Sequence, residues 1–96
     1  CAACHLVDKG AENKIGPALY GVLGKKVASK VDYKYSKAMS SYDKTWTFEE
    51  MNGYLRKPQK HIKGTKMAFA GLRKDKDRAS VILYLNKNSD NPLPLP

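Results

Sequence analysis

The feature that most constrains this chain is the C-x-x-C-H motif Cys1-Ala2-Ala3-Cys4-His5. Two thiols three positions apart on a helical turn point the same way, so both can reach the two vinyl groups of one haem. The histidine that follows is then directed at the iron from the same side. The motif therefore predicts a covalently attached haem with His5 as an iron ligand.

Other uses of the two cysteines are less consistent with the sequence. A thioredoxin-like dithiol needs a βαβ context, which the pattern does not show. Structural zinc needs four ligands, and the chain has only two cysteines and two histidines, of which Cys4 and His5 are neighbours. A disulfide between Cys1 and Cys4 would close too small a loop to stabilise much, and a lipid-modified Cys1 would leave His5 unexplained. Zinc or dithiol chemistry remains the alternative to haem.

The rest of the sequence predicts one all-α domain with long loops. No segment alternates with a period of two over enough residues to indicate a sheet. A chain of 96 residues suits a single domain. We assign residues 1–87 to a haem-binding core and residues 88–96 to a Pro-rich tail, extended and loosely held. No segment has the 18 or more apolar residues that a membrane-spanning helix requires.

Two helices have clear start and stop signals, and a short third helix is expected around Ser36–Ser41. Thr47 and Glu50 form a capping box, in which Thr47 caps the Glu50 amide and Glu50 reaches back. This helix should end at about Lys57, before a proline. Asp75 can cap a last helix that runs to about Lys87. The buried stripe of that helix is predicted to contain Ala79, Ile82 and Leu85.

A haem iron has a second axial position, and a methionine sulfur there is typical of electron carriers. Met51 lies on the apolar stripe of a predicted helix, where packing explains it. Met39 lies in a weakly specified stretch. Met67 lies between two glycines in a long loop predicted over residues 59–74, and long ordered loops are often functional. We therefore predict Met67 as the second axial ligand.

The charge of the chain predicts an acidic or polyanionic partner. The net charge is +9, from 18 Lys and Arg against 9 Asp and Glu, and such a bias accelerates encounters with negative surfaces. Nucleic acid, an anionic membrane surface and an acidic protein all fit this charge. Only Arg56, Arg73 and Arg78 are arginines, although arginine is the preferred residue for reading bases and phosphates. A nucleic-acid-binding module would also leave the C-x-x-C-H motif unused, so no nucleic-acid partner is expected.

These motifs together resemble class I cytochrome c, of the mitochondrial and related bacterial type. The resemblance covers residues 1–87. In residues 13–21, Pro17 resembles the proline whose carbonyl accepts the N–H of the proximal imidazole, which would fix the tautomer of His5. Residues 63–71 are similar to the methionine loop of the family.

The resemblance also implies roles for aromatic and hydroxyl side chains around the haem. Tyr33, Tyr35 and Trp46 resemble the hydrogen-bond donors near the haem propionates. Tyr54 resembles the tyrosine beside the methionine sulfur, and Thr65 would help to shield a propionate. The implied fold is the small cytochrome c fold, wrapped around one haem.

The chain departs from the family pattern in several places. The helix that normally precedes the attachment site has no counterpart in residues 1–96, so we expect that it was lost or trimmed, or that another segment takes its place. Lys25 stands where an arginine near a propionate is common, and it lacks the planar fork. Met39 replaces a polar residue, which would make the distal side drier. His61 replaces an aromatic residue and would be available as a ligand if Met67 were displaced.

The resemblance implies a soluble one-electron carrier, not an enzyme, that moves electrons from a respiratory or photosynthetic reductase to an oxidase. A basic ring formed by Lys14, Lys60, Lys66 and Lys74 would dock on acidic patches of these membrane complexes. A monomer in a bacterial periplasm is expected, with the mitochondrial intermembrane space as the alternative. The alternative function is a haem c enzyme or sensor, peroxidase-like, with a labile distal ligand.

Overall fold

A computed structural model describes residues 1–95, so Pro96, the last residue of the predicted tail, lies outside the described residues. Residues 1–95 contain four helices: α1 (Lys37–Ser40), α2 (Phe48–Arg56), α3 (Pro58–His61) and α4 (Asp75–Lys87). Residues 1–95 contain no strand, only an isolated antiparallel bridge between Lys26 and Thr45. These elements confirm an all-α class with long loops.

None of the helices formed by residues 1–95 has the length and apolar character needed to cross a membrane.

Helix α2 begins as the sequence predicts, although only one half of the capping box forms. The hydroxyl of Thr47 accepts the Glu50 amide N–H at 3.1 Å, which satisfies one of the unpaired donors of the first turn. The Glu50 carboxylate does not reach back to Thr47. It accepts instead from the Tyr42 hydroxyl at 2.8 Å and lies 3.0 Å from the His61 imidazole. The reciprocal contact was therefore a wrong prediction, because stronger partners from other segments are within reach.

The predicted loop over residues 59–74 begins with a helical turn that the sequence did not reveal. Pro58 is the first residue of α3, a position that suits its fixed φ and missing N–H. The turn continues to His61 and has four residues, which is too short for an apolar period to show. The prediction of an uninterrupted loop was wrong for this first part.

Helix α4 has the predicted bounds but a different cap and a different buried face. Lys74 is its N-cap and makes no side-chain capping bond. Asp75 is the first helical residue, and its carboxylate pairs with Arg78. Arg78 is buried at 4% exposure, whereas Ala79 is exposed. The prediction that Ala79 belongs to the buried stripe is thus wrong, while Ile82 and Leu85 are buried as predicted.

The core lies where α2 packs against α3 and α4. Its buried residues come from α2, from α4, from residues 23–46 and from the residue that follows α3, and they are Leu23, Val27, Trp46, Met51, Tyr54, Leu55, Ile62, Ile82 and Leu85. Met51 has the packing role expected for it. The core therefore joins the middle of the chain to its last helix.

The buried guanidinium of Arg78 connects segments that are distant in the sequence. Its Nε donates to the Asn52 side chain at 2.7 Å, and its Nη1 donates to the carbonyls of Leu72 at 2.7 Å and Arg73 at 3.0 Å. Arg78 therefore ties α2 and α4 to the chain that follows the predicted methionine loop.

The C-terminal tail is held more firmly than expected. The Asn86 side-chain amide donates to the Leu93 carbonyl at 3.0 Å and accepts the Leu93 N–H at 2.9 Å. Leu93 lies so close to Gly24 that an added Cβ there would be 3.1 Å from Leu93 Cδ2. The expectation of a loosely held tail is therefore wrong at Leu93, because a buried asparagine supplies partners for both backbone polar groups of this residue.

Candidate functional site

The C-x-x-C-H motif forms a tight turn at one wall of a cavity. The amides of Cys4 and His5 both donate to the Cys1 carbonyl, at 3.0 and 2.8 Å. Cys1 and Cys4 are free thiols, exposed and half-buried respectively, and both line the cavity. The turn therefore presents two thiols and an imidazole to the same space.

The imidazole of His5 is fixed by the chain that follows it. Its Nδ1 lies 2.7 Å from the Pro17 carbonyl oxygen, and since a carbonyl only accepts, Nδ1 carries the proton. The amide of Gly16 donates to the Cys4 carbonyl at 2.8 Å, which brings Gly16 under the ring. A Cβ on Gly16 would overlap the ring atoms of His5. The Nε2 lone pair is therefore left free for a ligand.

The cavity has a volume of about 630 Å³, within the range of sites for small organic ligands and cofactors. Its wall is formed by residues from 1 to 69, in loops and in α1 and α2. All ten side chains predicted for the site line this one cavity: Cys1, Cys4, His5, Pro17, Tyr33, Tyr35, Trp46, Tyr54, Thr65 and Met67. The fold therefore brings together every residue that the sequence singled out for the site.

Three aromatic residues on one wall differ in the donors they offer. The Tyr33 hydroxyl donates to the Ile15 carbonyl at 2.8 Å, so its hydrogen is engaged by the protein. The Tyr35 ring packs edge-on against Tyr33 at 4.9 Å between centroids, and burial raises the pKa of Tyr35. Trp46 is 5% exposed, and its indole N–H has no hydrogen-bond partner within residues 1–95. The indole N–H is thus available to a carboxylate in the cavity.

Another part of the wall is built around Thr65. Its hydroxyl lies 2.7 Å from the Tyr54 hydroxyl and 3.6 Å from the Met39 sulfur, and it also accepts the Met67 N–H at 3.4 Å. Tyr54 and Thr65 are buried, at 4% and 6% exposure. Burial raises the pKa of the Tyr54 phenol, against an opposing effect of the Thr65 hydrogen bond. The phenol therefore stays neutral near pH 7 and fixes the segment that carries Met67.

The charged residues around the cavity are four lysines and one aspartate, Asp8. Lys25, Lys26, Lys30 and Lys66 line it. The Lys66 ammonium also donates to the Lys34 carbonyl at 2.7 Å, which links the segment of Met67 to the loop of Tyr33. The cavity is therefore apolar inside and cationic at part of its wall.

Of the predicted basic ring, only Lys66 belongs to the cavity wall. Lys14 donates to the carbonyl of Ala2, inside the attachment motif, at 3.2 Å. Lys60 and Lys74 are exposed and do not line the cavity.

His61 does not line the cavity. Its Nε2 lies 3.0 Å from Glu50 and 3.2 Å from the Tyr42 hydroxyl. The hydrogen bond with His61 is the main cause that lowers the pKa of Glu50. Burial, with the Glu50 hydrogen bond, raises the pKa of Tyr42 to about 12. His61 is thus engaged in a polar cluster outside the cavity.

The sequence is 46% identical over 89 residues to the cytochrome c of Gibberella zeae, across 93% of this chain and 84% of that protein. The chain belongs to the cytochrome c family. It is 45% identical over 97 residues to a cytochrome c homolog of Bradyrhizobium diazoefficiens, across 100% of this chain and 53% of that protein. It is 47% identical over 85 residues to a cytochrome c homolog of Rickettsia bellii, across 88% of this chain and 49% of that protein. The chain spans about half the length of these two bacterial relatives.

The fold agrees with this family. The solved structure of cytochrome cH from Methylobacterium extorquens matches with a TM-score of 0.85 and 35% identity, over 91% of this chain and 87% of that chain. No family model matches the sequence. The small cytochrome c fold expected from the sequence is thereby confirmed. Covalent haem c and electron transfer, rather than enzymatic catalysis, are the properties of this family.

The residues present fit a covalent haem. Two free thiols and an imidazole with a free Nε2 meet at one wall, and a thioether, that of Met67, lies in the same cavity. Gly16 leaves the space that the imidazole occupies. Cationic Lys25 and the free indole N–H of Trp46 suit the carboxylates of such a group.

Sequence reasoning missed several residues that shape the site. Lys30 and Phe69 line the cavity but were not singled out, because nothing in their spacing distinguishes them from surface positions. Gln59 donates to the carbonyls of Thr65 and Met67, and it was assigned to a featureless loop. Its contacts with the methionine segment could have been predicted only if α3 had been predicted, because this helix carries Gln59.

Proposed function

We propose that the chain carries single electrons on a haem c bound covalently to Cys1 and Cys4, with His5 and Met67 as the axial ligands. The observation that carries this proposal is the orientation of His5. Its Nδ1 is occupied by the Pro17 carbonyl at 2.7 Å, so Nε2 is the nitrogen available for iron, in a cavity that Met67 also lines. When bound, the haem supplies a one-electron Fe(III)/Fe(II) couple.

The chain contributes fixed geometry on the histidine side. The Pro17 carbonyl holds one tautomer of His5 and increases the basicity of its Nε2. Because Gly16 packs directly under the ring, the imidazole has little freedom to tilt. With haem bound, His5 would therefore keep its position in both oxidation states, which would keep the structural change on electron transfer small.

On the methionine side, Tyr54 and Thr65 position Met67 and exclude water. Their hydroxyls bond to each other at 2.7 Å inside a buried wall, and Met39 and Met51 add apolar surface to it. Tyr54 would lie beside the methionine sulfur. Apolar surroundings favour the state of lower net charge and raise the reduction potential.

The wall with the aromatic donors would hold the propionates. The Trp46 N–H and the Tyr35 hydroxyl would donate to them, and Lys25 would offset their charge. Tyr33 would cover this edge, with its hydroxyl on the Ile15 carbonyl. Thr65 would shield a propionate in addition to its bond with Tyr54.

The positive charge of the chain suits docking on acidic patches of a reductase and an oxidase. The basic ring of Lys14, Lys60, Lys66 and Lys74 would surround the exposed haem edge, and opposite charges steer such encounters. We propose a monomeric domain, with residues 1–87 as the haem-binding core and residues 88–96 as its tail. The proposed location is the bacterial periplasm or, as the alternative, the mitochondrial intermembrane space, where it would serve a respiratory chain.

Absorption spectra of the oxidised and reduced protein test the cofactor and its ligands. We expect c-type bands and, in the oxidised form, the weak near-infrared charge-transfer band of a sulfur–iron bond. Met67→Leu should abolish this band and lower the reduction potential, while the matched Met39→Leu variant should keep the band. If Met67→Leu keeps the band, Met67 is not the ligand. Absence of the band from the parent protein, together with peroxidase activity, would favour the enzyme or sensor alternative.

The docking surface is tested by charge reversal. Electron transfer with an acidic redox partner should slow as salt rises, because screening shortens the range of attraction. Lys66→Glu should slow association by about tenfold at low salt. Lys87→Glu changes the net charge equally, at an exposed residue that does not line the cavity, and should have a smaller effect. Equal effects of the two variants would show that net charge, not the ring, matters.

A further inference from the structure

The segment that carries Met67 is held by a side chain outside the cavity. Gln59 Nε2 lies 2.8 Å from the Thr65 carbonyl and 2.9 Å from the Met67 carbonyl. A side-chain amide nitrogen has two hydrogens, so this one nitrogen can serve both carbonyls. The reverse orientation of the amide would place its oxygen against two other oxygens, which identifies the nitrogen as the contacting atom.

We propose that Gln59 is a positioning residue that keeps the Met67 segment closed over the cavity and so limits access to the distal face of the haem. This inference rests on the proposed ligation by Met67. The inference adds a specific restraint on the Met67 segment to the proposed ligation. This restraint acts from outside the cavity, since Gln59 is exposed and does not line it.

The two carbonyls have no other donor within residues 1–95. They belong to the two residues on either side of Lys66, so a single donor fixes the backbone from Thr65 to Met67. On the inner side the Thr65 hydroxyl binds Tyr54 at 2.7 Å and accepts the Met67 N–H at 3.4 Å. The segment is thus held from inside by a buried phenol and from outside by Gln59.

The residue that donates these bonds sits on a well-anchored turn. Pro58, the first residue of α3, is fully buried. His61, the last residue of α3, lies 3.0 Å from the Glu50 carboxylate of α2. Gln59 lies between these two anchored residues, so its hydrogen bonds hold the methionine segment in a fixed position relative to α2.

Without these bonds the segment should open more often. A ligand such as imidazole can reach the ferric iron only when Met67 has moved away, so its binding rate reports the open population. Each net hydrogen bond is modest, and these two are partly exposed to solvent. We expect loss of both to raise the opening equilibrium about three- to tenfold.

The test uses ferric holoprotein variants and imidazole as the probe. Gln59→Glu and Gln59→Met keep the size of the side chain and remove its donors. Both should raise the imidazole binding rate about three- to tenfold and lower the imidazole concentration at which the near-infrared sulfur–iron band disappears. Gln59→Arg restores N–H donors and should return both measurements towards the parent. Lys60→Met changes the next exposed residue of the same turn and is the matched control.

The outcomes separate this proposal from the proposed function. If the parent shows the sulfur–iron band but Gln59→Glu and Gln59→Met bind imidazole at the parent rate, Gln59 does not hold the segment. An equal acceleration by Lys60→Met would also overturn the assignment, since the effect would belong to α3 in general. If the parent lacks the band, ligation by Met67 has failed, and this inference fails with it.

Discussion

The two walls of the cavity are fixed in different ways. On the histidine side, the contacts are made within residues 1–17, which contain no helix: the Gly16 amide donates to the Cys4 carbonyl and the His5 ring to the Pro17 carbonyl. On the methionine side, the segment of Met67 depends on side chains carried by helices, Tyr54 on α2 and Gln59 on α3. The first wall needs no helix, while the second requires that α2 and α3 have already formed and packed. We therefore expect the methionine side to be the more sensitive to changes far from the cavity.

The largest effect is expected where the methionine loop returns to α2. Gly71 has a φ of +111°, and a Cβ there would overlap the Arg56 carbonyl oxygen, which is backbone and cannot turn aside. Gly71→Ala should reduce the free energy of unfolding by about 4 kcal/mol or more, measured by denaturant unfolding of the holoprotein. Gly64→Ala is the matched control, because its φ of +95° is also left-handed but its Cβ meets only the Ala38 side chain at 3.1 Å. Equal losses of unfolding free energy in the two variants would show that the left-handed backbone alone, and not the overlap with the Arg56 carbonyl, causes the destabilisation.

The next largest effect is expected at Arg78. Arg78→Met leaves the Asn52 side chain and the carbonyls of Leu72 and Arg73 without their buried donor. We expect a loss of about 2–4 kcal/mol in the free energy of unfolding and a weaker sulfur–iron band. Arg73→Met removes the same charge from an exposed side chain and should be nearly neutral. A band that survives unchanged in Arg78→Met would contradict the greater sensitivity of the methionine side.

A smaller effect tests the histidine side. Gly16→Ala places a methyl group against the His5 ring, so the imidazole must tilt and its bond to Pro17 must lengthen. Overpacking of this kind costs about 1–3 kcal/mol, and we also expect a changed reduction potential. Gly10→Ala is the control, because Gly10 has a left-handed φ of +75° and nothing within 4 Å of an added Cβ. A potential that moves equally in both variants would argue against a direct effect on the ligand.

The smallest effect concerns pH and the cluster outside the cavity. The His61 hydrogen bond, followed by that of Tyr42, lowers the pKa of Glu50. A lowered pKa in the folded state stabilises the protein above the unfolded value of about 4.3, and this contribution is lost as the pH falls through the folded pKa. Glu50→Gln should therefore cost about 1 kcal/mol at pH 6 and almost nothing near pH 3.

Unfolding free energies measured from pH 3 to pH 7 check this dependence. Glu49→Gln is the matched control, since Glu49 is an exposed neighbour on the same helix and should leave the pH dependence of the parent intact. If the unfolding free energies of the parent and of Glu50→Gln differ by the same amount at every pH in this range, the ionised carboxylate is not the cause of that difference.

The contrast between the two walls also explains what the sequence could predict. The attachment turn, the cap at Thr47 and the end of α4 near Lys87 depend on neighbouring residues, and all were predicted correctly. Four of the ten site residues, Cys1, Cys4, His5 and Met67, were predicted from the attachment motif and the methionine loop, and the other six from the family resemblance. Local signals and a shared pattern were therefore enough to select residues that the fold gathers around one cavity.

The failures occur where distant partners decide the structure. Asp75 resembles a cap but pairs with Arg78, and the burial of Arg78 depends on acceptors from Asn52 and the chain after the methionine loop. Glu50 would complete a capping box, yet His61 competes for its carboxylate. No periodicity within one segment reports such competition, because the competing groups meet only after the chain has packed.

Contacts between residues 20–21 and residues 88–90, at the start of the C-terminal tail, bear on the order in which the protein folds. Gly21 donates to the Asn88 carbonyl at 2.8 Å, and Tyr20 donates to Asp90 across 70 positions of sequence. Closing so long a loop is entropically costly, so such contacts form late on a folding pathway. The turn at Cys1 involves only adjacent residues and can form early. We expect the thiols to remain accessible to modifying machinery until the C-terminal segment docks, so that attachment of the cofactor can precede completion of the fold.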